Sequence, residues 1–237
     1  YYGLDLNFVG FQWDSGIKNY NIKYDFKNYI SDRFKLNYGL NAIYYDFNPG
    51  TIRPSSTTSG INFSQLDKKY AFEPALYINA EQELSKKFSV SYGLRYSLFY
   101  RLGQSNLNVF ANNNPVTFNT NMQIYEKSTP IGTQTFQKNE VLKSYNYWEP
   151  RFSLAYQLNE KQSVKASYNR MVQYLQLISN TSSPTPLDVW TSSTNNIKPQ
   201  LADQVALGLF KNLGEGGDDY ETSVEVYYKE MQNQIDY

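Results

Sequence analysis

The 237-residue chain carries 22 Lys+Arg against 22 Asp+Glu, a balance that gives no electrostatic basis for binding nucleic acid or an anionic membrane surface. Cys and His are both absent, which excludes disulfides, a thiol nucleophile, a Cys/His zinc site and a Ser-His-Asp relay. No apolar run approaches the ~20 residues of a membrane helix, and with a mean hydropathy of −0.61 the chain either stays in water or crosses a bilayer as strands.

Aromatic residues make up 17% of the chain, with 23 Tyr against 14 Phe and 3 Trp. A ring with a polar tip is favoured at a lipid–water boundary, so the Tyr excess fits many interfacial positions. Alternation with a period of two begins at once. A first strand is expected around Gly3 to Phe11, followed by a short connection from Gln12 to Gly16. Tyr20, Ile22, Tyr24 and Phe26 then alternate with Asn21, Lys23, Asp25 and Lys27. Leu36, Tyr38, Leu40, Ala42 and Tyr44 alternate with Asn37, Gly39, Asn41 and Ile43. Leu76, Ile78 and Ala80 alternate with Tyr77, Asn79 and Glu81.

The stretch from Phe88 to Leu102 is the most informative. Val90, Tyr92, Leu94, Tyr96, Leu98 and Tyr100 fall on one face, and Ser91, Gly93, Arg95, Ser97, Phe99 and Arg101 on the other. At about 3.3 Å per residue such a strand spans roughly 46 Å, which a tilt of about 45° reduces to near the thickness of a bilayer core. Later segments repeat the pattern: Phe152, Leu154 and Tyr156 against Arg151, Ser153 and Gln157; Val164, Ala166 and Tyr168 against Lys165, Ser167 and Asn169; Val224, Val226 and Tyr228 against Ser223, Glu225 and Tyr227. Leu201 to Lys211 is apolar on both faces and has no evident orientation. The total is about nine strands, with no sustained helical period.

Connections alternate in length. Ser31-Asp32-Arg33, Ser85-Lys86-Lys87 and Asn159-Glu160-Lys161-Gln162 are tight polar turns, and Leu213 to Asp219 is a longer, Gly-containing one. Between them lie Asn48 to Lys69, Gly103 to Asn146 and Leu175 to Gln200. Short turns at one end and long loops at the other are the periplasmic and extracellular ends of an outer-membrane barrel. Tyr44, Tyr45, Phe47, Phe99, Tyr100, Tyr147, Trp148, Tyr174, Tyr227 and Tyr228 then gather at the extracellular end, where an interfacial girdle belongs.

The inward faces carry Glu81, Glu149 and Glu225 beside Arg95, Arg151 and Lys165. Paired carboxylates are the apparatus of glycoside hydrolysis, but alternating charge is also what a water-filled or plug-docking lumen carries, and that reading is preferred. No catalytic residue, metal ligand or cofactor is assigned. Arg170 falls on the outward face at a strand end, within reach of the interface. Outward Leu98 and Leu154 should reject a charge, and inward Ser97 and Ser153 should accept one. In the loop from Ile178 to Gln200, Asn180, Asp188, Trp190, Asn195 and Asn196 offer an aromatic face, amides and a carboxylate, a set suited to sugars or polar peptides. Three prolines in the same loop suit a cover folded over the mouth.

Several segments resemble the C-terminal barrel of TonB-dependent receptors, the energised importers of Gram-negative outer membranes. They are Gly93-Leu94-Arg95-Tyr96, Trp148-Glu149-Pro150-Arg151-Phe152, Ser163 to Arg170, Gln173-Tyr174, Pro184 to Trp190, Ile197-Lys198-Pro199-Gln200 and Ser223 to Lys229. The resemblance implies an all-β, antiparallel transmembrane β-barrel of about 22 strands around a plug domain, of which residues 1–237 would form a part of about nine strands. Neither plug nor TonB-binding box is recognisable, and the chain reads as a piece of a larger protein. The implied function is uptake of a scarce solute, small or oligomeric, across the cell outer membrane. The implied partners are outer-membrane lipid, the TonB complex acting through the missing N-terminal region, and a surface lipoprotein or other outer-membrane protein. The alternatives are a passive outer-membrane channel and a soluble all-β adhesin or carbohydrate-binding module.

Overall fold

The alternating segments become long strands, each hydrogen-bonded to the next. The computed structural model describes residues 2–4, 10–103, 105–178, 189–213 and 220–235. Its wall strands are β1 (Tyr2–Leu4), β2 (Phe11–Ser31), β3 (Phe34–Pro54), β4 (Lys69–Ser85), β5 (Phe88–Leu102), β6 (Val141–Asn159), β7 (Gln162–Gln173), β8 (Gln200–Leu213) and β9 (Tyr220–Gln232). Among the described residues the main sheet has ten strands, these nine in one antiparallel path and the two-residue Ser64–Gln65 beside β3. β2 and β3 are 21 residues each and β6 is 19, against about five or six for a typical soluble strand. Among the described residues no helix is long and apolar enough to cross a membrane.

The three tight turns share one device. Ser31 Oγ accepts from the Arg33 N–H, Ser85 Oγ from Lys87 and Asn159 Oδ1 from Lys161. A short polar side chain two residues back thus satisfies the turn's free donor. At the other end, the β5–β6 connection builds two hairpins, Ser105–Val109 with Gly132–Phe136 and Val116–Asn119 with Ile124–Lys127.

Register keeps every row of side chains on one face. Leu94 lies opposite Ile78 and Pro150, and Arg95 opposite Tyr77 and Glu149. The outward face exposes Tyr24, Leu40, Leu76, Leu94, Leu207 and Val224, a contiguous apolar surface far larger than a water-soluble monomer presents. Among the described residues no second sheet covers it. Aromatic pairs border this aliphatic band on both sides. At the loop end Tyr44 lies 6.4 Å from Tyr20 and 6.3 Å from Tyr70, Phe72 lies 6.5 Å from Tyr100, and Tyr96 lies 4.3 Å from Trp148. At the turn end the pairs are Phe26–Tyr38 and Phe88–Tyr156. This is the transmembrane band of a barrel wall with its two girdles. On the inner face Gly39 lets the Tyr77 ring lie across β3 and donate to Asp25; a Cβ there would strike the Tyr24 carbonyl and the Tyr77 ring.

Three expectations need correction. Gln12 to Gly16 is not a connection but lies within β2, where an irregular register between Asp14 and Gly16 absorbs the break; the first strand therefore does not run on to Phe11. Second, Leu201–Lys211 has a definite facing, with Val205, Leu207 and Leu209 outward and Ala206, Gly208 and Phe210 inward. Third, the expected outer girdle divides. Tyr44, Tyr100, Trp148 and Tyr228 face outward, whereas Tyr45, Phe47, Phe99, Tyr147 and Tyr227 face the lumen, because neighbours in a strand point to opposite sides.

Leu154 and Ser153 are consecutive on β6 and face opposite ways. Leu154→Arg should destabilise the membrane-inserted protein by about 2–4 kcal/mol, and Ser153→Arg should cost far less. Urea unfolding from lipid bilayers measures both; equal losses would reject the facing.

Candidate functional site

The chemistry-bearing surface is the concave inner face, and it changes character from turn end to loop end. Near the turns it is lined by small residues, Ser89, Ser91, Ala155, Ser167 and Gly208 among them, around a hollow of about 580 Å³. Lys35, Glu81, Lys165 and Glu225 project around this hollow. Lys165 sits over the Phe210 ring at 4.4 Å, and Glu81 accepts a hydrogen bond from Asn37. Short side chains leave room for another body against the wall while isolated charges keep it wet.

Halfway up, Arg95 lies between two carboxylates, with Nη2 3.7 Å from Glu73 and Nε 3.4 Å from Glu149. Tyr45 donates to Glu73 at 3.1 Å. Glu149 is nearly buried, so its pairing with Arg95 offsets a desolvation cost that an isolated carboxylate would carry in full. Among the described residues no cluster of three or more His, Cys, Asp or Glu is placed to hold a metal ion.

Above this network lies an aromatic layer. Tyr45, Phe47, Ala71, Phe99 and Tyr174 form the buried cluster, with Tyr145, Tyr147 and Val172 against it. Tyr174, just past β7, folds inward. Its ring stacks on Phe99 at 4.7 Å and 7°, and its hydroxyl meets Ser97 Oγ at 2.7 Å. From there Leu175–Ile178 pairs with Val189–Ser192 as a hairpin on the inner face, and the second arm packs against β3 and β2. Ser193 donates to the Tyr174 carbonyl at 2.7 Å, and Tyr145 donates to the Thr194 carbonyl at 2.6 Å. Gln176 holds the Lys198 carbonyl, and Asn233 holds that of Pro199. The segment is a strap tied to the inside of the wall.

The strap carries the residues singled out for ligand contact. Trp190 pairs through its backbone with Leu177 and is 45% exposed. Asn195 and Asn196 are exposed in the bend after the second arm, where Thr194 Oγ1 accepts from the backbone N–H of Asn196 and Ile197. Asn180 and Asp188 lie outside the described residues. The described hydrogen bonds do not join Trp190 to Asn195 or Asn196.

Ser97 departs from its expected role. It is 1% exposed beneath Tyr174, so a charge there would unseat the strap. Sequence alternation correctly turned Ser97 inward but carried no trace of what covers it. Arg170 also has a more specific setting than a free interfacial charge. Its guanidinium makes two 2.8 Å bonds to Asp203, which also accepts from Tyr168.

The family described as "TonB dependent receptor-like, beta-barrel" matches the chain over residues 1–237. No curated protein matches it in sequence. Among solved structures, the chain is similar to the FrpB iron transporter from Neisseria meningitidis, F3-3 variant, at 14% identity and TM-score 0.54, covering 92% of this chain and 28% of that one. It is similar to the copper transporter OprC at 11% identity and TM-score 0.61, covering 96% and 32%. A double mutant of the Serratia marcescens hemophore receptor HasR, in complex with its hemophore HasA and heme, matches at 14% identity and TM-score 0.57, covering 98% and 38%. At these identities the likeness is one of fold, and the chain spans about a third of each structure's length.

Tyr174 is the strap's anchor. Tyr174→Ala should cost on the order of 3 kcal/mol and open residues 189–198 to protease. Tyr174→Phe, which keeps the stack and loses one hydrogen bond, should cost about 0.5–1.5 kcal/mol. Limited proteolysis and urea unfolding of the folded receptor distinguish them; an unaltered cleavage pattern in Tyr174→Ala would remove the anchor.

Proposed function

Because the chain belongs to the TonB-dependent receptor β-barrel family, we propose that it forms part of the wall of an outer-membrane receptor. That receptor takes up a scarce solute with energy from the TonB complex. The observation that supports this best is the asymmetry of the wall, apolar between two aromatic bands outside and small, polar and charged inside. Bare strand edges are not tolerated in hydrocarbon, so the open sheet from β1 to β9 would be continued by further strands. The hollow lined by small residues fits a plug domain seated against the wall. Plug and TonB-binding box would lie elsewhere in the full-length protein.

The named relatives are iron, copper and hemophore receptors, which supports a small, scarce nutrient as cargo. A soluble adhesin would need its apolar face covered. A passive channel would need an open lumen, whereas here a strap lies inside the mouth. Asn180, Asp188, Trp190, Asn195 and Asn196, all in the sequence from Ile178 to Gln200, are proposed to meet the solute, with Trp190 supplying a stacking face.

Cells bearing the full-length receptor should accumulate its solute only when TonB is present; equal uptake without TonB would favour the passive channel. Trp190→Ala should weaken solute binding by about 1–3 kcal/mol if the exposed ring is a binding hot spot, with heat-modifiable gel mobility unchanged. Normal affinity with a weakened fold would make Trp190 part of the cover instead.

A further inference from the structure

At the loop end of the inner face, above the aromatic layer, three cations share one small area. Arg101 lies directly opposite Ala71 on one side and Lys143 on the other. Lys69 sits two residues before Ala71 and therefore on the same face, opposite Phe47. Arg101 is 5% exposed, and its Nη1 donates to the carbonyls of Tyr70 and Leu102 at 2.5 and 3.1 Å. Lys69 is half-buried and Lys143 exposed, its ammonium 5.4 Å from the Tyr145 ring.

Among the described residues no carboxylate pairs with any of the three. The inward acids Glu73 and Glu149 are held by Arg95 on the far side of Phe99. Asp46, opposite Tyr70 on the outward face, pairs with Lys68. A buried guanidinium satisfied only by carbonyl dipoles, with two ammonium groups beside it, is costly in the empty protein. Its field is directed at whatever enters the mouth.

We propose that Lys69, Arg101 and Lys143 form an anion-binding site at the outer mouth, and that the solute of this receptor is a small polyanion. Lys143 and Lys69 donate to the anion, and Arg101 supplies charge from beneath. The proposal rests on the transport reading, because it assigns the charge of the cargo.

The test uses the full-length receptor in detergent at low salt. Probes are citrate, pyrophosphate and the trianionic ferric tris-catecholate, with neutral ferric tris-hydroxamate as control, followed by tryptophan fluorescence. The wild type should bind at least one anion about tenfold or more tightly than the neutral chelate, and that preference should shrink as salt rises. Lys69→Gln with Lys143→Gln should remove the preference and the salt dependence together. If the double variant folds poorly, Lys143→Glu, at an exposed position, should remove most of the preference. Equal affinity for charged and neutral probes, or an anion preference that survives these substitutions, would overturn the proposal. A TonB-dependent uptake without anion preference would sink the site and leave transport standing; anion binding without TonB-dependent uptake would do the opposite.

Discussion

Every backbone N–H and C=O placed in hydrocarbon must find a partner within the protein, and the rest of this structure follows from that constraint. The chain meets it with strands of up to 21 residues, each paired along its length with the next. Once the backbone is a strand, side chains alternate without choice, and one wall must present lipid and lumen surfaces at once. The aliphatic rows through Leu94 and Leu76, and the polar rows through Arg95 and Tyr77, are two readings of the same ladder.

The inner face then divides into layers along the strand direction. Small residues and scattered charges line the turn end, the Glu73–Arg95–Glu149 network lies above them, an aromatic layer follows, and cations stand at the mouth. The aromatic layer separates Glu73 and Glu149, held by Arg95, from Arg101. Tyr174 joins this layer from outside the wall strands and brings the strap in with it. The strap is placed by Tyr174 packed on Phe99 and meeting Ser97, by the hydrogen bonds of Tyr145 and Asn233 to its carbonyls, and by its second arm against β3 and β2.

Much of the wall was legible in the sequence because its signal is local. Alternation gave the facing of Phe88–Leu102 and the nine-strand path, and three tight polar turns gave the short end. Leu201–Lys211 was not legible, since Ala206, Gly208 and Phe210 are apolar yet face inward; only pairing with β7 and β9 orients them. The lumen aromatics were misplaced for a related reason. Crowding of Tyr44-Tyr45, Phe99-Tyr100 and Tyr147-Trp148 marks a strand end, but alternation places one member of each pair inside. The prolines suggested a cover over the mouth, but its anchoring through Tyr174 and the Lys69–Arg101–Lys143 group were missed because both depend on contacts between distant segments, although inward alternation at Arg101 already hinted at a charge in the lumen.

One continuous strand face meets lipid while the other lines a covered lumen. The chain has no cysteine, so single cysteines can be placed at each position from Phe88 to Leu102 in the full-length receptor and spin-labelled in bilayers. Collision with lipid-dissolved oxygen should then alternate with a period of two, high at Val90, Tyr92, Leu94, Tyr96 and Leu98 and low at Ser91, Gly93, Arg95, Ser97 and Phe99. A flat profile, or maxima on the Arg95 face, would contradict the account.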